Sequence, residues 1–291
     1  MCIRDRSGTK LGNVTLAAKN YSDWAVRAEA GAGAVGLAAV GADARVTDTG
    51  NTWAAIGSNS QLFASGAIDI QAIDQQSLRA TTLGVTVGSV GISGNANHVT
   101  ASRDVAVLTG NDVEIAGASS ISMQAVLGKD VAGDDRADDN IFSSATAGAG
   151  GSLGAGAGSG SYVSLTGRVR TVLGESNDIA TSGAFSMDAK NFSRVNSESM
   201  GVSVGGIGSV GISVNHVDAL VDTFAGFDDS NTAITASALS VNAYSNGRNT
   251  LRSRAGSGSL GGAAVGVESF LNDGTAANRS DTSARIAGTV T

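Results

Sequence analysis

The sequence predicts an all-β protein, a repetitive β-solenoid built from units of about 55 residues, on three observations. The first is internal repetition: MGVSVGGIGSVGISVNHV at residues 200–217 has a close copy, LGVTVGSVGISGNANHV, at residues 83–99, and weaker versions at 30–46, 147–163 and 255–270. The second is that apolar residues recur with period two, the signature of strands, and no sustained helical stripe with caps occurs. The third is composition. With 41 glycines, no proline and 4% aromatics, few bulky side chains exist to fill a thick core, so the interior must be thin.

Five units can be laid over one another, starting at Val14, Ile68, Ile121, Phe185 and Leu239. Each opens with alternating apolar residues ending in alanine: Val14/Leu16/Ala18, Ile68/Ile70/Ala72, Ile121/Met123/Ala125, Phe185/Met187/Ala189 and Leu239/Val241/Ala243. The start-to-start spacings are 54, 53, 64 and 54 residues, so the third unit carries an insertion. A polar stretch follows each opener, as in KNYSDWAVRAEA at 19–30 and KNFSRVNSES at 190–199.

The glycine-rich block comes next. Alternation puts Val202, Val204, Val210, Ile212 and Val214 on one face, with small residues opposite that let a second sheet approach closely. A more polar strand then leads to a turn of residues that tolerate left-handed or side-chain-capped backbone: GSNS at 57–60, TGND at 109–112, GESND at 174–178 and DDSN at 228–231. A short strand around Leu62, Val113/Ile115, Ile179, Ile234 and Ile286 returns the chain to the next opener. Whether a unit makes one wide coil or about three narrow coils of ~18 residues is left open at this level.

Residues 1–7, MCIRDRS, share nothing with the repeats and read as a sequencing-adapter remnant, which leaves 8–291 as one elongated repeat domain. Setting it aside removes the only cysteine, Cys2, and with it thiol chemistry. The expectation is a segment with more of a parent chain on both sides. A hydrophobic fraction of 42% against 15% charged residues argues for an ordered chain, and a dispersed net charge of −7 argues against a nucleic-acid partner. Uncharged stretches such as 80–102 and 140–167 are too rich in Gly, Ser, Thr and Asn for a membrane span.

Glycine strings such as VGGIG at 204–208 lack a following Lys-Ser/Thr and a helix, so a phosphate loop is discarded. His98 and His216 occupy the same place in two units, where Arg45, Tyr162 and Ser269 stand in the others. A column whose chemistry changes so freely favours a packed or solvated role over a metal ligand. The inserted segment holds Asp130, Asp134, Asp135, Asp138 and Asp139, a set of hard oxygens suited to Ca²⁺, although a solvated acidic loop is the commoner outcome. No other cofactor is indicated. No nucleophile-base-acid set stands out, and only Trp24 and Trp53, both in the first unit, offer tryptophan platforms for sugars.

The pattern of strand, polar stretch, AGAGAVG or GVSVGGIGSVGISVNHV, turn and Ala-Ser-x-x-x-Ile-x-Ala resembles the repeat regions of giant bacterial filamentous-haemagglutinin-like and leukotoxin-like surface adhesins, over residues 11–290. The resemblance implies export to the cell surface, a parallel β-helix-like rod and attachment to a host-cell or matrix receptor or glycan. It implies no catalytic residues. No GGxGxD string of the calcium-binding repeat type occurs. The expected function is therefore a non-catalytic structural and adhesive segment, and the alternative is a β-helical carbohydrate-active enzyme of the lyase or hydrolase type.

Overall fold

The computed structural model describes residues 11–128, 141–272 and 281–291. Residues 1–7, with Cys2, and the acidic set Asp130, Asp134, Asp135, Asp138 and Asp139 lie outside the described residues. The described chain is all-β, with no helix, and its fifteen strands belong to one sheet.

The strands fall into five layers, one per unit of sequence. The first layer holds β1 (Val14–Gly33), β2 (Leu37–Ile56) and β3 (Gln61–Phe63), and the second β4 (Ala67–Thr109) and β5 (Glu114–Ala118). The third has β6 (Ser120–Leu127), β7 (Ile141–Val172) and β8 (Asp178–Thr181), and the fourth β9 (Ala184–Asn191), β10 (Arg194–Gly205) and β11 (Gly208–Thr235). The fifth has β12 (Ala238–Ser245), β13 (Arg248–Ser259), β14 (Ala264–Asn272) and β15 (Thr282–Val290).

Every ladder between layers is parallel, and each joins a residue to its equivalent one whole unit later. The opening column runs Val14, Ile68, Ile121, Phe185, Leu239, and its neighbour runs Leu16, Ile70, Met123, Met187, Val241. This register answers the question of coil width. Backbone partners lie a full unit apart rather than about 18 residues apart, so one unit makes one wide layer. The closing column is Leu62, Ile115, Ile179, Ile234 and Val290, so Val290 and not Ile286 takes the last place; Ile286 pairs with Phe227. A register shift between Asp228 and Ala233 displaces the equivalence by the length of the bulge.

Each layer has two parts with different interiors. The base is conventionally apolar: Ile68, Ile70, Leu78, Val105, Ile115, Met123, Ile141, Leu165, Phe185 and Phe227 form one buried cluster. Beyond it extends a thin arm in which the chain runs out along a first wall, reverses at a glycine-rich tip, and returns along a second wall. In the second layer Ser93 Oγ donates across this arm to the Gly84 carbonyl (3.1 Å) and Asn97 Nδ2 to the Ala80 carbonyl (3.1 Å). In the fourth, Ser199 and Ser213 share a hydroxyl hydrogen bond at 2.6 Å, and Asn215 Nδ2 donates to the Ser197 carbonyl at 2.6 Å.

The arm interior is therefore lined by small residues, Gly, Ala, Ser, Thr and Asn, with Ala147, Ala149, Ala155 and Ala157 forming a small apolar cluster in the third layer, and the large apolar residues of the glycine-rich block point outward. Val202 and Val204 lie on the outer surface of the first wall; Val210, Ile212 and Val214 lie on that of the second. Sequence alternation places all five on one face, and that face is the outer one: the even-numbered residues stay outward and the odd-numbered small residues inward on both sides of the reversal at 205–208, which sets the five on the two outer surfaces of the arm. The close approach expected of the glycines is present: a Cβ at Gly211 would run into the Gly256 carbonyl, and one at Gly201 into that of Ile212.

The turns behave as their residue types require. Asn59, Asp112 and Ser176 all take left-handed backbone (φ 56°, 55° and 56°) at the far end of the base. Each turn is held by the next layer: Glu175 N donates to Asn111 Oδ1 (3.0 Å) and Ser176 N to Asp229 Oδ2 (2.6 Å). The Ser176 donor, with the backbone N–H of Asn231, holds the Asp229 carboxyl below its ordinary value.

Candidate functional site

The second wall carries a column of unlike side chains. Its outward column near the base reads Arg45, His98, Tyr162 and His216 in successive layers, and His216 pairs along the backbone with Leu271 in the fifth. Arg45 and Tyr162 stand where the repeats placed them; the fifth-layer partner is Leu271, because Ser269 pairs with Val214. The longer tip of the last layer, where Gly205 pairs with Ser259 but Ser209 with Ala264, shifts the equivalence.

The rings in this column pack on one another. His98 and Tyr162 are stacked, with centroids 4.9 Å apart and planes 7° from parallel, and Tyr162 and His216 are tilted at 6.4 Å. Layer spacing imposes this arrangement, since equivalent side chains on a parallel ladder sit one strand step apart. The Tyr162 ring thus covers one face of His98 and leans on His216. The Tyr162 ring lies between the two histidines, which keeps them from converging on one ion.

Beside the column lies a shallow hollow. Its floor is the glycine row Gly41, Gly94 and Gly158, which pair in successive layers, and its rim holds Asp43, Arg45, Ala96 and His98. Arg45 Nε donates to Asp43 Oδ2 at 2.9 Å, and both side chains are largely exposed. An acceptor, a cationic donor and an imidazole thus border a surface where backbone is uncovered. That set can meet the hydroxyl and ring-oxygen groups of a sugar or the polar groups of a protein loop. Column position alone made Arg45 and His98 visible from the repeats; Asp43 and the glycine floor were missed, although the shared Gly41, Gly94 and Gly158 register was available from alignment of the units.

A second cluster of charge is enclosed. Arg103, on β4, joins β1, β2 and the start of its own strand: its Nη2 donates to Asp48 Oδ2 and to Ser22 Oγ (2.8 Å), its Nε to Gln76 Oε1 (3.0 Å), and its Nη1 lies 3.7 Å from Asp74 Oδ2. Thr52 Oγ1 and Asn20 Nδ2 also donate to Asp74. Arg103 is 2% exposed and Asp74 0%. Burial raises the Asp74 carboxyl above its ordinary value, and Arg103, Asn20 and Thr52 oppose that rise.

Trp24 and Trp53 are both exposed in the first layer, where no further layer covers them among the described residues. Among the described residues, no group of three or more His, Cys, Asp or Glu side chains is placed to hold a metal ion, and no helix is long and apolar enough to cross a membrane. Comparison with protein-family models, with curated proteins and with solved structures finds no match to this chain.

Proposed function

We propose that the five layers form a wide-coil β-solenoid segment of a large exported bacterial surface protein, and that the segment serves attachment through its outer walls. The carrying observation is the unit-by-unit parallel register, which sets unlike side chains in fixed columns on a flat surface. A rod of this kind presents many weak contacts at a step of ~4.8 Å, and weak contacts multiplied along one body give avidity. The partner class proposed for the second-wall hollow is a cell-surface or matrix glycan or glycoprotein, met by Asp43, Arg45 and His98.

A sugar-processing enzyme would draw on the clustered acids and base around Arg103. Their enclosure keeps a polymer substrate from reaching them, which supports the structural and adhesive reading. The test is binding of the chain to a glycan array and to host-cell surfaces, beside an Arg45→Ala/His98→Ala variant of unchanged circular dichroism. Saturable binding that falls at least tenfold in the variant is the expected result. Folded protein that binds nothing would reduce the segment to a spacer, and turnover of an arrayed polysaccharide would overturn the proposal.

A further inference from the structure

The first wall has a relief that the second does not share. Its two outward columns nearest the tip read Gly31, Val85, Gly148, Val202, Gly256 and Gly33, Val87, Gly150, Val204, Gly258 through the five layers. Valine ridges on the second and fourth layers therefore alternate with glycine furrows on the first, third and fifth. Leu83 and Met200 extend the same two ridges toward the base. The ridges are open to solvent, up to 62% at Val87 and 55% at Val204.

We propose that this wall is a self-association surface on which two copies of the chain pair face to face, the valine ridges of each seated in the glycine furrows of the other. A two-fold axis along the strand direction reverses the order of layers while keeping the columns in register. Displacing the copies by one layer then sets Val85 over Gly148 of the second copy and Val202 over Gly31, or, displaced the other way, Val202 over Gly148 and Val85 over Gly256. Either arrangement is closed and uses the same patch on both partners, as an isologous contact must.

Three features favour a second copy as the occupant. The relief is complementary to itself, with ridges two layers, ~10 Å, apart. The two columns hold no ionisable group, so a chain of net charge −7 meets its like there without bringing like charges together; on the fringe Arg27 pairs with Glu29 and Arg252 with Glu198, and the exposed Arg79 and Arg254 lie nearer the base than the two columns. Four overlapping layers of about ten residues each cover roughly 600 Å² per copy, ~1,200 Å² in total, at the lower edge of specific interfaces. The expected dimer is therefore micromolar rather than permanent. It would leave the hollows of both second walls facing outward.

Sedimentation velocity of the 291-residue chain across the micromolar to hundred-micromolar range tests this. The weight-average mass is expected to rise from one copy toward two. Gly148→Leu fills the central furrow from the outside, where a Cβ meets nothing closer than 3.7 Å, and is expected to weaken the dimer tenfold or more with an unchanged melting temperature. Val85→Glu, also outward-facing, should do the same, and Val267→Glu on the second wall should leave the dimer intact. A mass of one copy at every concentration overturns the proposal. So does a dimer indifferent to Gly148→Leu and Val85→Glu, or one lost equally in Val267→Glu.

Discussion

Arg103 is a single residue on which three segments of the base depend, because its guanidinium supplies donors to Asp48, Ser22 and Gln76 and lies beside Asp74. Removing it strands a buried carboxyl. Arg103→Met is expected to cost about 3–5 kcal/mol, the range for breaking one partner out of a buried ion pair, measured as a shift in urea midpoint. Asp74→Asn should be far milder, within about 1 kcal/mol at neutral pH, since Asp48 still pairs with Arg103. The sign of the pH dependence follows from the raised Asp74 value. The folded state binds this proton more tightly than the unfolded chain, so Asp74 favours folding fully below 3.8 and progressively less as pH rises through its folded value. Thermal melts across that window should show Asp74→Asn gaining on the parent as pH rises.

At the scale of elements, the arm is held by small side chains, polar for the most part and including alanines in the third layer, that face each other across a space too narrow for large apolar ones. Ser161 bridges Ser143 (2.6 Å) and Ser197 (2.7 Å), and Asn215 donates to carbonyls of both Ser197 and Arg252, the latter at 2.9 Å. Buried donors and acceptors are costly to leave alone, so Asn215→Leu, which also overfills the gap, is expected to destabilise by about 2–4 kcal/mol in chemical denaturation. Gly211→Leu should cost ~1–3 kcal/mol or more by the same overpacking, and an unchanged melting temperature would contradict the narrow arm. The base obeys the opposite logic. Phe185 stands in the column between Ile121 and Leu239, and Phe185→Ala should cost about 3–5 kcal/mol through the cavity it opens.

At the scale of the whole molecule, a wide layer with an apolar base and an arm lined by small residues separates stability from display. The base supplies burial, and the arm, thin and walled by outward apolar and aromatic columns, supplies surface. The opening columns, the alanine that ends each, the turns at Asn59, Asp112 and Ser176, and the place of Arg45 and Tyr162 beside the histidines were all legible in the sequence. Each follows from local chemistry or from translation by one unit, which a repeat states directly. Period two tells that Val202 and Val210 alternate with small residues, but not which side is inside. That choice rests on what the opposing wall offers, and Ser213 and Asn215 across from Ser199 and Ser197 decide it in favour of the small polar residues. The sequence alone determined strand, repeat length and turn chemistry, because these are set within a few residues or by exact recurrence. Only the tertiary structure decided that a unit is one layer wide, that the valines face outward and that Asp43 joins Arg45 and His98 at one hollow, because those outcomes depend on contacts between segments far apart in the chain.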